Sequence, residues 1–122
     1  MTPEEEAEER EKRIIDEIVV DAYGEEERAS GWYNYLDETL GFPFRARCVT
    51  QKSTSPLRVG EEVEALGMAD YEACEHSMFI KIRWLGRELA VPLSQLQGIE
   101  TNEETQQAIE DWRYWVDSGY EF

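Results

Sequence analysis

The sequence predicts an α+β domain: two N-terminal helices, a small antiparallel sheet of four strands, and one C-terminal helix. Three observations predict it. Apolar residues recur at helical spacing at Ile14, Ile15, Ile18, Val19 and Ala22, and again at Ala29, Trp32, Tyr33, Leu36 and Leu40. The apolar period then changes to two between residues 44 and 91, the spacing of half-buried strands. Helical spacing returns at Ala108, Ile109, Trp112, Trp115 and Val116. A chain of 122 residues makes about one ordinary domain, and its four Trp, six Tyr and four Phe supply large apolar area for a modest core.

Thr2-Pro3-Glu4-Glu5 has the chemistry of a helix start: a hydroxyl cap, proline in the first turn, and carboxylates facing the positive end of the helix dipole. The first dozen residues have almost nothing to bury. Residues 1–13 are therefore expected to form an acidic, mobile extension and residues 14–122 a single compact domain. Gly24 after Tyr23 is the expected left-handed cap of the first helix. Glu25-Glu26-Glu27 opens the second helix, Gly31 weakens it locally, and Gly41 and Pro43 stop it.

In the middle of the chain, Phe44, Ala46 and Cys48 alternate with Arg45 and Arg47, and Val63 and Ala65 alternate with Glu62 and Glu64. Met78, Ile80, Ile82 and Trp84 alternate with Lys81 and Arg83. After the turn at Leu85-Gly86-Arg87, Leu89 and Val91 continue the sheet as far as Pro92. Four short strands in sequence suit a meander, including one curled as an SH3-like barrel. Arg45, Arg47, Lys81 and Arg83 are expected to form a basic strip that the acidic helices approach. Thr101-Asn102-Glu103-Glu104 is a capping pattern for the last helix, which Gly119 ends.

Charge narrows the function. The chain holds 28 acidic and 12 basic residues, a formal net charge of −16. Residues 1–27 carry −9, residues 28–99 carry −1 and residues 100–122 carry −6. Such a chain repels nucleic acid and anionic membranes, so neither is expected as a partner; it attracts cations and basic proteins. Plain solubility is the competing explanation of the charge. The Glu-rich start is not a signal peptide, and no segment approaches membrane-spanning length. A cytoplasmic setting follows, with Cys48 and Cys74 reduced. His76 is the only histidine and there is no CxxC, so a zinc site is not expected. No glycine-rich phosphate loop, GxSxG or HExxH is present, and no carboxylate pair is singled out for catalysis. The chain is read as non-enzymatic.

Calcium takes six to eight oxygen ligands. Asp37 and Glu38 fall in the last turn of the second helix, beside carbonyls that lack intrahelical partners and carry negative partial charge. An acidic pair there is electrostatically misplaced unless a cation compensates it. A solvated acidic turn, costing a few tenths of a kcal/mol, explains it equally well. Asp70, Glu72 and Glu75 crowd a loop between two strands, where an exposed hydrophilic loop is the slightly preferred explanation. Asp117, with Glu121, and Asp21 repeat the helix-end anomaly more weakly. Glu25–Glu27 and Glu103-Glu104 sit at helix N-termini, where acids belong. The EF-hand pattern is absent, so any calcium site must join separated segments.

Several stretches are similar to the cyanobacterial calcium-binding family of the CcbP type: Ile15-Asp16-Glu17-Ile18-Val19-Val20-Asp21-Ala22-Tyr23-Gly24-Glu25-Glu26-Glu27-Arg28-Ala29, Gly31-Trp32-Tyr33-Asn34-Tyr35-Leu36-Asp37, Gly41-Phe42-Pro43-Phe44, Gly60-Glu61-Glu62-Val63, Gly86-Arg87-Glu88-Leu89-Ala90-Val91-Pro92-Leu93-Ser94-Gln95-Leu96 and Ala108-Ile109-Glu110-Asp111-Trp112. The resemblance runs from about residue 14 to the end of the chain. It implies an acidic, cytosolic, non-EF-hand calcium binder and puts Asp37 first among the site residues. Asp70, Glu72 and Glu75 carry over less securely, because such loops tolerate change. The expected function is an intracellular Ca²⁺ buffer or sensor acting through Asp37, Glu38, Asp70, Glu72 and Glu75. The alternative is an acidic module that recruits a basic protein partner.

Overall fold

The computed structural model describes residues 2–19 and 24–118. Helix α1 spans Pro3–Arg13; Thr2 caps it by accepting a hydrogen bond from the Glu5 amide at 3.2 Å. The helix does not run on in α geometry. It widens at Ile14–Ile18 into a π-helical turn, closed by the Val19 amide donating to the Ile14 carbonyl, and Ile14 and Ile18 are buried there. The expected end of the first helix at Ala22 and Tyr23, with Asp21, lies outside the described residues. Gly24 is not a left-handed cap. With φ −148° and ψ 173° it is extended, and it stands at the N-cap of helix α2, Glu25–Thr39.

Helix α2 packs by its aromatic face. Trp32 is fully buried, edge-on to Trp112 at 5.0 Å between ring centroids and tilted against Trp115 at 5.7 Å. Both partners belong to helix α3, Glu103–Asp117, which Asn102 caps through the Thr105 amide. Gly31 has a packing reason beyond the cost of glycine in a helix: a β-carbon there would collide with the Ile18 carbonyl of the π turn. The absence of a side chain lets α2 lie directly on that backbone.

Among the described residues the sheet has five strands rather than four. They are β1 Phe44–Cys48, β2 Glu62–Met68, β3 Phe79–Trp84, β4 Arg87–Pro92 and β5 Leu96–Ile99, in the order β4-β3-β2-β1-β5 with every neighbouring pair antiparallel. The additional strand, β5, follows a short 3-10 turn at Leu93–Gln95 and pairs along β1. Its four residues, Leu-Gln-Gly-Ile, are too few and too glycine-broken to show alternation. The register puts Ala46 opposite Val63, Ala65 opposite Ile82 and Ile80 opposite Val91, all buried. The β3–β4 turn is made by Leu85 and Gly86, both at positive φ.

The basic strip does not face the helices. Arg45, Arg47 and Arg83 lie on the exposed side and are met by carboxylates of β2: Arg45 by Glu62 at 2.6 Å, Arg47 by Glu62 at 3.9 Å and Arg83 by Glu64 at 3.8 Å. Cross-strand pairing supplies the countercharge that was expected from the helices.

The three helices meet at Asp111, whose side chain is fully buried. Arg13 of α1 reaches its Oδ1 at 2.5 Å, Arg10 approaches the same oxygen at 3.5 Å, and the Tyr35 hydroxyl of α2 donates to Oδ2 at 3.2 Å. Burial, then the Asp111 charge, pushes the Tyr35 phenol up to about 12, while the hydrogen bond to Asp111 raises the Arg13 guanidinium. Among the described residues no helix is long and apolar enough to cross a membrane.

The contact between Gly31 and Ile18 gives a direct test. Gly31→Ala should destabilise the domain by about 1–3 kcal/mol, as overpacking against unyielding backbone does. A substitution that instead raised the urea midpoint, as alanine does in an open helix, would contradict this packing.

Candidate metal centre

Helix α2 ends at Thr39, so Asp37 and Glu38 occupy its last turn, which carries no basic side chain. Both are exposed. The second acidic group lies where the chain leaves β2. Asp70 stands at the N-cap of a 3-10 turn, Tyr71–Cys74, and its carbonyl accepts from the Ala73 amide at 2.9 Å. Its carboxylate makes no capping hydrogen bond. Glu72 lies within the turn, Glu75 directly follows it, and all three carboxylates are exposed.

Tyr33 joins the two segments. One helical turn before Asp37, it sends its hydroxyl to the Ala69 carbonyl at 2.9 Å and packs edge-on to Tyr71 with centroids 5.2 Å apart. Burial raises the Tyr33 phenol, and the negative potentials of Cys74, Asp37 and Asp70 raise it further. Asp70 also bears on the Cys74 thiol, which burial pushes up most strongly and the Phe79 amide, donating to its sulfur at 3.3 Å, partly lowers. Through Tyr33, the segments that carry Asp37 and Asp70, 33 positions apart in sequence, are held together. Glu38, Glu72 and Glu75 sit on the same two segments.

None of these five carboxylates is in an ion pair among the described residues, whereas Glu62, Glu64, Glu110 and Asp111 all are. Unneutralised carboxylates fit a hard cation that prefers oxygen ligands. Among the described residues, no three or more His, Cys, Asp or Glu side chains are gathered closely enough to hold a metal by themselves. A calcium ion at Asp37 and Asp70 would need carbonyl oxygens and water to complete its shell. A cleft of about 320 Å³ opens beside Asp70, lined also by Ala69, Lys81, Glu88 and Leu89. Another concavity, about 370 Å³, lies between the end of α2 and the start of α3 and contains Glu64 and Glu100. Each of the two has a basic residue in its wall, Lys81 in the first and Arg45 in the second, and in the second Glu64 is already paired with Arg83.

Asp117 ends α3 exposed, while its expected companions Gly119 and Glu121 lie outside the described residues. The residue that the sequence reading assigned only to the core is Tyr33. Its signal was present, four residues before Asp37 and so on the same helix face.

A family model for calcium binding of the CcbP type matches residues 12–116. The chain belongs to this family. Two solved structures are similar to it. One is the crystal structure of Anabaena CcbP, at 41% identity and a TM-score of 0.83, with 94% of each chain covered. The other is described as a calcium binding protein in the calcium-binding form, at 41% identity and a TM-score of 0.84, with 100% of each chain covered. Among curated proteins, none matches the chain.

Tyr33→Phe isolates the bridge between the two acidic segments. Losing one donor to the Ala69 carbonyl should lower stability by about 0.5–1.5 kcal/mol and speed amide exchange in residues 69–74. Unchanged exchange in that turn would mean that Tyr33 does not tie it to α2.

Proposed function

We propose that this chain is a non-catalytic, non-EF-hand Ca²⁺ buffer or sensor of the cytoplasm, with Asp37 and Asp70 as the primary carboxylate ligands and Glu38, Glu72 and Glu75 as auxiliary ones. Family membership supports the ion. The observation that supports the site most is that Tyr33, one helical turn before Asp37, donates to the Ala69 carbonyl next to Asp70 at 2.9 Å and so ties the two acidic segments together. Like charges on two segments repel each other and both disfavour the ionised phenol. An intervening divalent cation removes the repulsion, so binding tightens the junction between the end of α2 and the 70–75 turn. Only the folded chain holds the two segments together, so calcium should stabilise it, by about 2.7 kcal/mol when the free ion exceeds Kd a hundredfold.

Recruitment of a basic protein is the second reading. The exposure of Glu4, Glu5, Glu6, Glu8 and Glu9 on α1 favours it.

Calorimetric titration of the chelator-treated protein with CaCl₂, beside a MgCl₂ control, tests the proposal. Heat of binding and a rise in Tm are expected with calcium, and Asp37→Asn and Asp70→Asn should each weaken binding. Tyr33 supplies a site-specific readout. Burial, the main cause of its raised pKa, is unchanged by the ion, but the part that Asp37 and Asp70 add should be lost when calcium neutralises them, so the phenol should titrate at lower pH. Full calcium affinity in the Asp37→Asn/Asp70→Asn double variant would remove both residues from the site.

A further inference from the structure

Helix α1 has no buried residue. Apolar burial, which holds most helices to their domains, therefore does not hold this one. Its eleven residues run on into the π turn, where Ile14 and Ile18 are buried, so apolar anchoring begins only past its C-terminal end. Its attachment is polar. Arg13 and Arg10 reach buried Asp111, Arg10 also reaches Glu110 at 3.5 Å, and the Tyr114 hydroxyl donates to Glu11 at 3.4 Å. On either side of Arg10 the helices stand apart. One cleft of about 440 Å³ is lined by Glu6, Glu9, Arg10, Arg13 and Gln107, and another of about 350 Å³ brings Glu6 and Glu110 to a common wall.

The charge outside the clasp opposes docking. Residues 3–13 carry six carboxylates and three basic groups, a net −3, against −13 on the remainder of the chain. Glu4, Glu5, Glu6, Glu8 and Glu9 are exposed, so their repulsion acts through solvent. These two opposing interactions differ in their response to ions. Repulsion between exposed groups is screened over about 8 Å at physiological ionic strength, whereas a pair on a fully buried carboxylate is screened much less. Cations in solution therefore weaken what pushes α1 off more than they weaken what holds it on.

From this we propose that α1 is an electrostatic arm, clasped by Asp111, whose docking tightens as cation concentration rises. The response is separate from calcium binding at Asp37 and Asp70 and needs no ion at a fixed position. It gives the chain a second, less selective sensitivity to its ionic surroundings, expressed as order in one acidic helix.

Hydrogen–deuterium exchange of the full chain, read by mass spectrometry with chelator present, tests it. Between about 10 mM and about 150 mM NaCl, exchange in residues 3–13 should slow about tenfold while β3 and α3 stay equally protected. Arg10→Gln/Arg13→Gln should abolish the slowing and leave the core protected. Glu5→Gln/Glu8→Gln, which removes repulsion and keeps the clasp, should protect the arm already at low salt. Asp37→Asn/Asp70→Asn should respond to NaCl as the wild type does, whether or not it has lost calcium binding. The proposal is overturned if protection of residues 3–13 falls with salt. It is equally overturned if the arginine variant keeps the wild-type response, or if the arm answers only to calcium and only while Asp37 and Asp70 are intact.

Discussion

The burial of Trp32 between Trp112 and Trp115 fixes where α2 lies, and the charged features of the chain are arranged around that helix. An indole this large, fully removed from water, makes one seating of the helix strongly preferred. With Trp32 inward, Tyr33 and Tyr35 emerge on opposite flanks. Tyr33 meets the 70–74 turn through the Ala69 carbonyl, and Tyr35 meets Asp111. Gly31 completes the constraint by letting the same stretch lie on the Ile18 carbonyl. Four contacts within five residues, made by residues 31, 32, 33 and 35, tie α2 to the π turn, the core, the acidic turn and Asp111.

The carboxylates divide by what neutralises them. Those on β2 face arginines across the sheet, and Asp111 is met by two guanidiniums and a phenol. Asp37, Glu38, Asp70, Glu72 and Glu75, on α2 and around the 3-10 turn, are exposed and in no ion pair among the described residues. Net charge alone does not distinguish these groups, because much of the negative charge is either paired or placed at helix N-termini. Position does. On the proposed reading, a helix end already negative by its backbone dipole, tied through Tyr33 to the turn that carries Asp70, is where a cation would gain most.

Much of the architecture was legible in the sequence because apolar periodicity records burial. The stripes of α2 and α3, the alternation of β1 to β4 and the stop at Gly41 and Pro43 all follow from it. So did the placement of Asp37 and Glu38 in a last helical turn. What was not legible depends on contacts between distant segments. β5 is too short to alternate and exists only because β1 offers it an edge. The π turn at Ile14–Ile18 preserves a helical stripe while changing the geometry beneath it. Nothing in the sequence marked Asp111 as buried, and the arrival of Arg10 and Arg13 makes its burial tolerable. The link from Asp37 to Asp70 needed Tyr33, whose apolar ring disguised the role of its hydroxyl. The resemblance to a known family supplied the ion, which periodicity and spacing did not.

The most direct measurement of the central claim is the anomalous difference density of calcium in crystals of the calcium-loaded protein. The account predicts an ion within about 2.3–2.6 Å of carboxylate oxygens from both Asp37 and Asp70, its shell completed by carbonyl oxygens and water. An ordered calcium bound elsewhere, with both of those carboxylates outside coordination distance, would contradict it.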